Sequence, residues 1–137
     1  MIIAETPLTI RYAETDRMGI VHHSNYPIWF EVGRMDFFQK VGASYTGIEA
    51  EGILLPLIQL GCNFKQAIRY GETVLIKTHL TKISSVKCEF SYEIHLQGGN
   101  KLLSTGTTVH AWTDKNLKPV ILAKALPGVY ELLQQAL

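Results

Sequence analysis

Residues 11–26 read Arg-Tyr-Ala-Glu-Thr-Asp-Arg-Met-Gly-Ile-Val-His-His-Ser-Asn-Tyr, which crowds two carboxylates, two adjacent histidines and a glycine into one short segment. A carboxylate of this kind can attack a carbonyl carbon, or take a proton from a water that does. Ser24 is a good helix N-cap and Pro27 suits a first helical turn, so the segment runs directly into a helix start. The N–H groups of a first turn lack intrahelical partners and carry partial positive charge, which suits a developing oxyanion. The pattern points to chemistry at a carbonyl, in a loop where function often sits.

Each residue also has a plainer reading. Asp16 alone could be a turn residue. His22 and His23, being neighbours, seldom aim both rings at one ion, and no third ligand is evident, so a metal site is argued against. Glu31 and Arg34, at i and i+3, can form a surface ion pair. Asn25 and Tyr26 can pack or hydrogen-bond within the first turn. His79, His95 and His110 fall in strands and read as surface or partly buried residues.

The elements that must position this segment follow from periodicity. Leu8 to Tyr12 alternate as a short strand before the polar loop from Ala13 to Gly19. Tyr26, Phe30, Gly33, Phe37 and Val41 recur at helical spacing and stop at Gly42, which predicts one amphipathic helix of about four to five turns. Gly33 on the apolar stripe predicts that the helix backbone lies close against something flat, a sheet. A brief helix is expected at 46–51, with Thr46 and Glu49 in capping-box spacing.

From there to Thr113 the chain reads as four strands, with turn signals at 69–72, 84–85 and 97–100, which predicts a meander. Val74, Ile76, Thr78 and Leu80 share one face, as do Cys88, Phe90, Tyr92, Ile94 and Leu96. Lys77, His79, Lys87, Glu89, Glu93 and His95 take the other. Such alternation marks an antiparallel sheet with one face on a core. A turn at 115–119 and a terminal helix at 127–136 complete an α+β architecture. One helix leaves part of the sheet and one edge uncovered, which predicts at least a dimer.

With 137 residues, 47% hydrophobic and 18% charged, the chain is expected to form a single domain, 1–137. A net charge of +1 supplies no field for nucleic acid. Cys62 and Cys88 read as buried free thiols. The N-terminus lacks a basic leader, and no window of about 18 apolar residues exists to insert in a membrane, so a cytoplasmic protein is expected.

The run Tyr-x-x-Thr-Asp-x-x-Gly-Ile-Val-x-His-x-Asn-Tyr, with Glu31 and Arg34 following, resembles the signature of hotdog-fold thioesterases related to 4-hydroxybenzoyl-CoA thioesterase, in the bacterial acyl-CoA thioester hydrolase branch. The resemblance implies a meander of about five strands wrapped around one long helix. It implies Asp16 as the catalytic carboxylate and the His23 N–H as the donor to the thioester carbonyl. Gly19, Ile20, Val21, Asn25, Tyr26 and Glu31 are then the candidate substrate-binding residues. It further implies an active site at a homodimer or homotetramer interface, with no metal or organic cofactor.

The substrate implied is an acyl-CoA, short or medium aliphatic or aromatic, or the matching acyl carrier protein thioester. Two positions depart from the common pattern: Glu14 stands where Asp is usual, and His22 where an aromatic residue is usual. A non-catalytic acyl-CoA binding or regulatory module is the alternative. A dehydratase is argued against, because the His-Phe-Pro motif is lacking.

Overall fold

Apolar side chains at every second position put Val74, Ile76, Thr78 and Leu80 of β3 (Thr73–Ile83) on one buried face. Cys88, Phe90, Tyr92 and Ile94 of β4 (Lys87–Leu96) lie beside them. In the computed structural model, which describes residues 1–137, β1 (Ala4–Thr9), β2 (Leu57–Phe64) and β5 (Leu102–Ala111) complete a five-stranded antiparallel sheet. Helices α1 (Asn25–Val41), α2 (Tyr45–Ala50), α3 (Leu122–Ala125) and α4 (Pro127–Gln135) make the class α+β, as the patterning predicts. No helix is long and apolar enough to cross a membrane.

The strand order is β1-β3-β4-β5-β2, which corrects the expected meander. Strands β3, β4 and β5 follow one another, but β2 pairs with β5 at the far edge and not with β3. Residues 69–72 do form a turn, with the Glu72 N–H donating to the Arg69 carbonyl at 3.2 Å. That turn ends a link across the end of the sheet instead of closing a hairpin. Ile68 within the link is fully buried. Turn chemistry is local and is the same in both settings, so the sequence pattern alone does not separate them.

The first strand is also displaced from residues 8–12. Pairing with β3 ends at Thr9 opposite Thr73, and Tyr12–Glu14 coil into a 3-10 turn. The cap of α2 is Ser44, whose Oγ accepts the Gly47 N–H at 3.1 Å, and not Thr46. The short helix α3 has no counterpart in the periodicity reading.

The stripe of α1 is buried as expected: Tyr26, Phe30, Gly33, Phe37 and Val41 all face inward. Gly33 lies directly on Thr78 and Ile76 of β3, and any Cβ there would overlap the Thr78 hydroxyl. Phe30 stacks on Tyr92 at 4.5 Å and covers Gly106, where a side chain would collide with the ring. These two glycines set how closely helix and sheet approach. The helix stops at Gly42, whose φ of 87° is the left-handed conformation glycine adopts without a Cβ clash. Ala4 to Ala136 contribute to one cluster of 26 buried apolar residues.

Candidate active site

Glu14 anchors the loop between β1 and α1. It is 5% exposed, and its Oε1 accepts the Arg11 N–H at 2.9 Å and Arg11 Nε at 3.4 Å. Its Oε2 accepts the indole N–H of Trp29 at 2.8 Å. Burial pushes this carboxyl up, yet the bonds from the Arg11 backbone, Trp29 and the Arg11 side chain outweigh it and hold the group below its ordinary value. The Glu14 carbonyl accepts the His22 N–H at 2.9 Å and the Asn25 side-chain amide at 3.0 Å. Glu14 therefore ties the start of the loop to α1 through its carboxylate and the end of the loop through its carbonyl.

Inside that frame Asp16 sits in a tight turn. Its N–H donates to the Ile20 carbonyl at 3.0 Å, and its carbonyl accepts the Gly19 N–H at 3.0 Å. Gly19 has φ of 77°, which lets the turn close. Asp16 Oδ1 accepts the Met18 N–H at 2.8 Å, while Oδ2 bonds to no protein group. The turn fixes the carboxylate's orientation and leaves one oxygen free.

The start of α1 supplies the complementary donor. Val21 N–H donates to the Ile68 carbonyl, His22 N–H to Glu14, Asn25 N–H to His22 and Tyr26 N–H to His23. Ser24 N–H donates to His22 Nδ1 at 3.2 Å, and Pro27 has no N–H to give. The His23 N–H alone in this stretch has no protein acceptor. Ser24 spends its hydroxyl on His22 Nδ1, at 2.8 Å, and not on the helix N–H groups that an N-cap side chain usually serves.

Asp16 and His23 line a common cleft of about 240 Å³ together with Ile20, Val21 and Tyr26. Its other wall is Phe64 and the start of the sheet-crossing link, Lys65 to Ala67. These last residues were not found from the sequence, because only the link's path over the sheet end brings them to the loop. Of the candidate residues, Gly19 closes the turn, Asn25 braces the loop, and neither lines the cleft. Glu31 lines a separate cavity on the next turns of α1. It forms no ion pair with Arg34, which is 9% exposed and donates from Nη1 to the Tyr92 hydroxyl at 3.0 Å.

The chain matches the thioesterase-like superfamily over residues 10–133. It belongs to that family. Thioester hydrolysis is accordingly its enzyme class, and the five-stranded α+β arrangement is the hotdog fold of its relatives. It is 34% identical over 137 residues to the candidate acyl-CoA thioesterase YneP of Bacillus subtilis, covering 99% of each chain. Among solved structures it is similar to a DHNA-CoA thioesterase from Staphylococcus aureus, with TM-score 0.94, 38% identity and 98% and 91% of the two chains covered. A hypothetical protein from Thermus thermophilus, TT1821, superposes with TM-score 0.89 at 33% identity, over 99% and 98% of the chains.

The core of this chain also holds a polar group that the strand pattern did not single out. His110 is fully buried, so the expectation of a surface or partly buried residue is corrected. Cys88 is buried, while Cys62 is only partly so. Burial and the Arg34 cation hold the His110 imidazole down at about 4. The unfolded chain takes up this proton near 6.5, so the group's contribution to stability is complete above that pH and is lost as pH falls toward about 4. His110→Gln should therefore flatten the decline of melting temperature between those two pH values. An acid slope as steep as the parent's would contradict this assignment.

Proposed function

We propose that the chain hydrolyses an aromatic acyl-CoA with Asp16 as the catalytic carboxylate and the His23 N–H as the oxyanion donor. The observation that carries this reading is the pairing, in one cleft, of a carboxylate oxygen without a partner and a helix-start N–H without a partner. A thioester carbonyl placed between them has its oxygen toward His23 and its carbon toward Asp16. The carboxylate then attacks to give an acyl anhydride that water opens, or it takes the proton of the attacking water. Both routes release coenzyme A, and both use the same free oxygen. Ile20, Val21 and Tyr26 supply apolar wall, and neither route uses the His23 side chain.

The likeness to the Staphylococcus aureus enzyme makes 1,4-dihydroxy-2-naphthoyl-CoA the first substrate to try. Free-thiol release from a panel of aliphatic and aromatic acyl-CoAs, with an acyl carrier protein thioester included, tests the reading. Turnover of an aromatic acyl-CoA above the others supports it. Ligand-induced stabilisation without turnover on any of them would instead identify a binding module.

In this reading residues 1–137 form one cytoplasmic hotdog domain with α1 as its central helix, and the working unit is at least a dimer. Strand β2 is a free sheet edge of eight residues that exposes Leu57, Ile58, Leu60 and Phe64. Ile28, Val32 and Met35 on α1 are exposed as well. An apolar, unpaired edge of this length invites a second copy to pair with it. Ile58→Lys should convert the protein to monomer in light scattering coupled to size-exclusion chromatography, and activity should fall with it. A parent protein that runs as a monomer at micromolar concentration would overturn the interface.

A further inference from the structure

The His23 N–H belongs to the His22–His23 peptide, so whatever fixes that peptide plane also aims the N–H. No peptide bond in the chain is cis, and the His22 carbonyl and the His23 N–H therefore point to opposite sides of the chain. On the carbonyl side, the His22 oxygen accepts the Asn25 backbone N–H at 3.1 Å and the Asn25 side-chain Nδ2 at 3.1 Å. The same Nδ2 also donates to the Glu14 carbonyl, at 3.0 Å. Both acceptors are carbonyl oxygens, so the nitrogen end of the amide, and not its oxygen, must face them. Two carbonyls from the two ends of the loop thus meet on one half-buried nitrogen, and both of its hydrogens are used.

A peptide plane turns over through opposed changes of the ψ before it and the φ after it, which leave the path of the chain nearly unchanged. Turned over, the His22–His23 peptide would set a carbonyl oxygen where negative charge has to develop, and would repel the charge that the N–H stabilises. We propose that Asn25 is the positioning residue for the oxyanion donor: its amide holds the His22 carbonyl out of the cleft and so keeps the His23 N–H turned into it. This inference rests on the thioesterase reading above. It also gives Asn25 a task that needs no contact with substrate, in keeping with its place outside the cleft wall.

The group required is narrowly defined. It must offer two hydrogens from one atom at the reach of a single methylene, which asparagine does and aspartate, of nearly the same shape, does not. Aspartate would set an oxygen in place of Nδ2, beside two carbonyl oxygens at about the same distances, and the peptide is the part free to move away.

Asn25→Asp should lower kcat about a hundredfold, the scale of a lost oxyanion donor, with KM within about threefold of the parent. Asn25→Ala removes the donors without adding repulsion and keeps the backbone bond, so its loss should be smaller, about tenfold. A merely structural Asn25 would lower the melting temperature and leave kcat of the folded protein unchanged. The readout specific to positioning is the infrared stretch of 1,4-dihydroxy-2-naphthoyl-CoA labelled with carbon-13 at the thioester carbonyl. Hydrogen bonding lowers that frequency, so it should be higher on the Asp16→Asn/Asn25→Asp protein than on Asp16→Asn alone. A crystal structure of Asn25→Asp should show the His22–His23 peptide turned from its present orientation. Parent-like kcat in Asn25→Asp, an unchanged carbonyl frequency or an unmoved peptide would each overturn the proposal. If Asn25→Asp does not fold, the same readouts on Asn25→Ala decide. A parent protein that hydrolyses no acyl-CoA would refute the thioesterase reading, while the crystal structure would still decide whether Asn25 holds the peptide.

Discussion

Asp16→Asn is expected to lower kcat by about a thousandfold, within the range that general-base or nucleophilic carboxylates contribute. Its melting temperature should stay within a few degrees of the parent. The turn around Asp16 explains the separation of these effects. Oδ1 accepts the Met18 N–H, and Asn retains an oxygen for that bond, so the loop keeps its shape. What the substitution removes is the charge and basicity of the free oxygen. His23→Ala serves as the contrast, because its contribution is a backbone N–H that alanine also has. It should leave kcat within about tenfold, and a loss as deep as that of Asp16→Asn would move the catalytic role to the imidazole.

Glu14→Ala should give the largest loss of stability among the loop residues, about 2–3 kcal/mol from the bonds broken and the donor left unpaired. In thermal melts that is a drop of about 8 °C or more. The buried Trp29 indole N–H would lose its acceptor and the Arg11 N–H its partner. Activity should fall too, since the lost carboxylate bonds to Arg11 and Trp29 are what tie the loop carrying Asp16 to α1. A variant with parent-like melting and full activity would show that the loop is anchored elsewhere. The depressed carboxyl adds a pH signature: the stability it supplies is present above about 4.5 and is lost as pH falls below it.

The α+β class, the faces of β3 and β4 and the buried stripe of α1 were all legible because each rests on a period that burial enforces. Gly33 was legible as a contact site, since glycine on an apolar helical stripe has few other uses. The place of β2 was not legible. Strand pairing across the sheet depends on which connection crosses over, and residues 69–72 carry the same turn chemistry in either case. From that miss follows the second one, Phe64 to Ala67 in the cleft wall, because they reach Asp16 only through the crossover.

At the site, the sequence placed Asp16 beside a helix start, and the geometry puts both in one cleft. Glu14 was noted only as a departure that keeps a carboxylate. Its structural role depends on Trp29, fifteen residues away, and no local spacing announces that bond. The reading of Glu31 and Arg34 as a surface pair failed for a related reason. Helical spacing sets the two side chains near each other, but Arg34 turns inward to Tyr92 across the sheet. His110 lies on a strand face shared with Thr108, and only the burial of that face shows that its ring must remain neutral.

A crystal structure of the Asp16→Asn protein with intact 1,4-dihydroxy-2-naphthoyl-CoA measures directly where the thioester carbonyl lies. The predicted result is a carbonyl oxygen at hydrogen-bonding distance from the His23 backbone nitrogen, about 2.7–3.2 Å, with the position-16 side chain against the carbonyl carbon. A carbonyl bound away from both, with neither group in contact, would contradict the assignment of Asp16 and His23 as the catalytic pair.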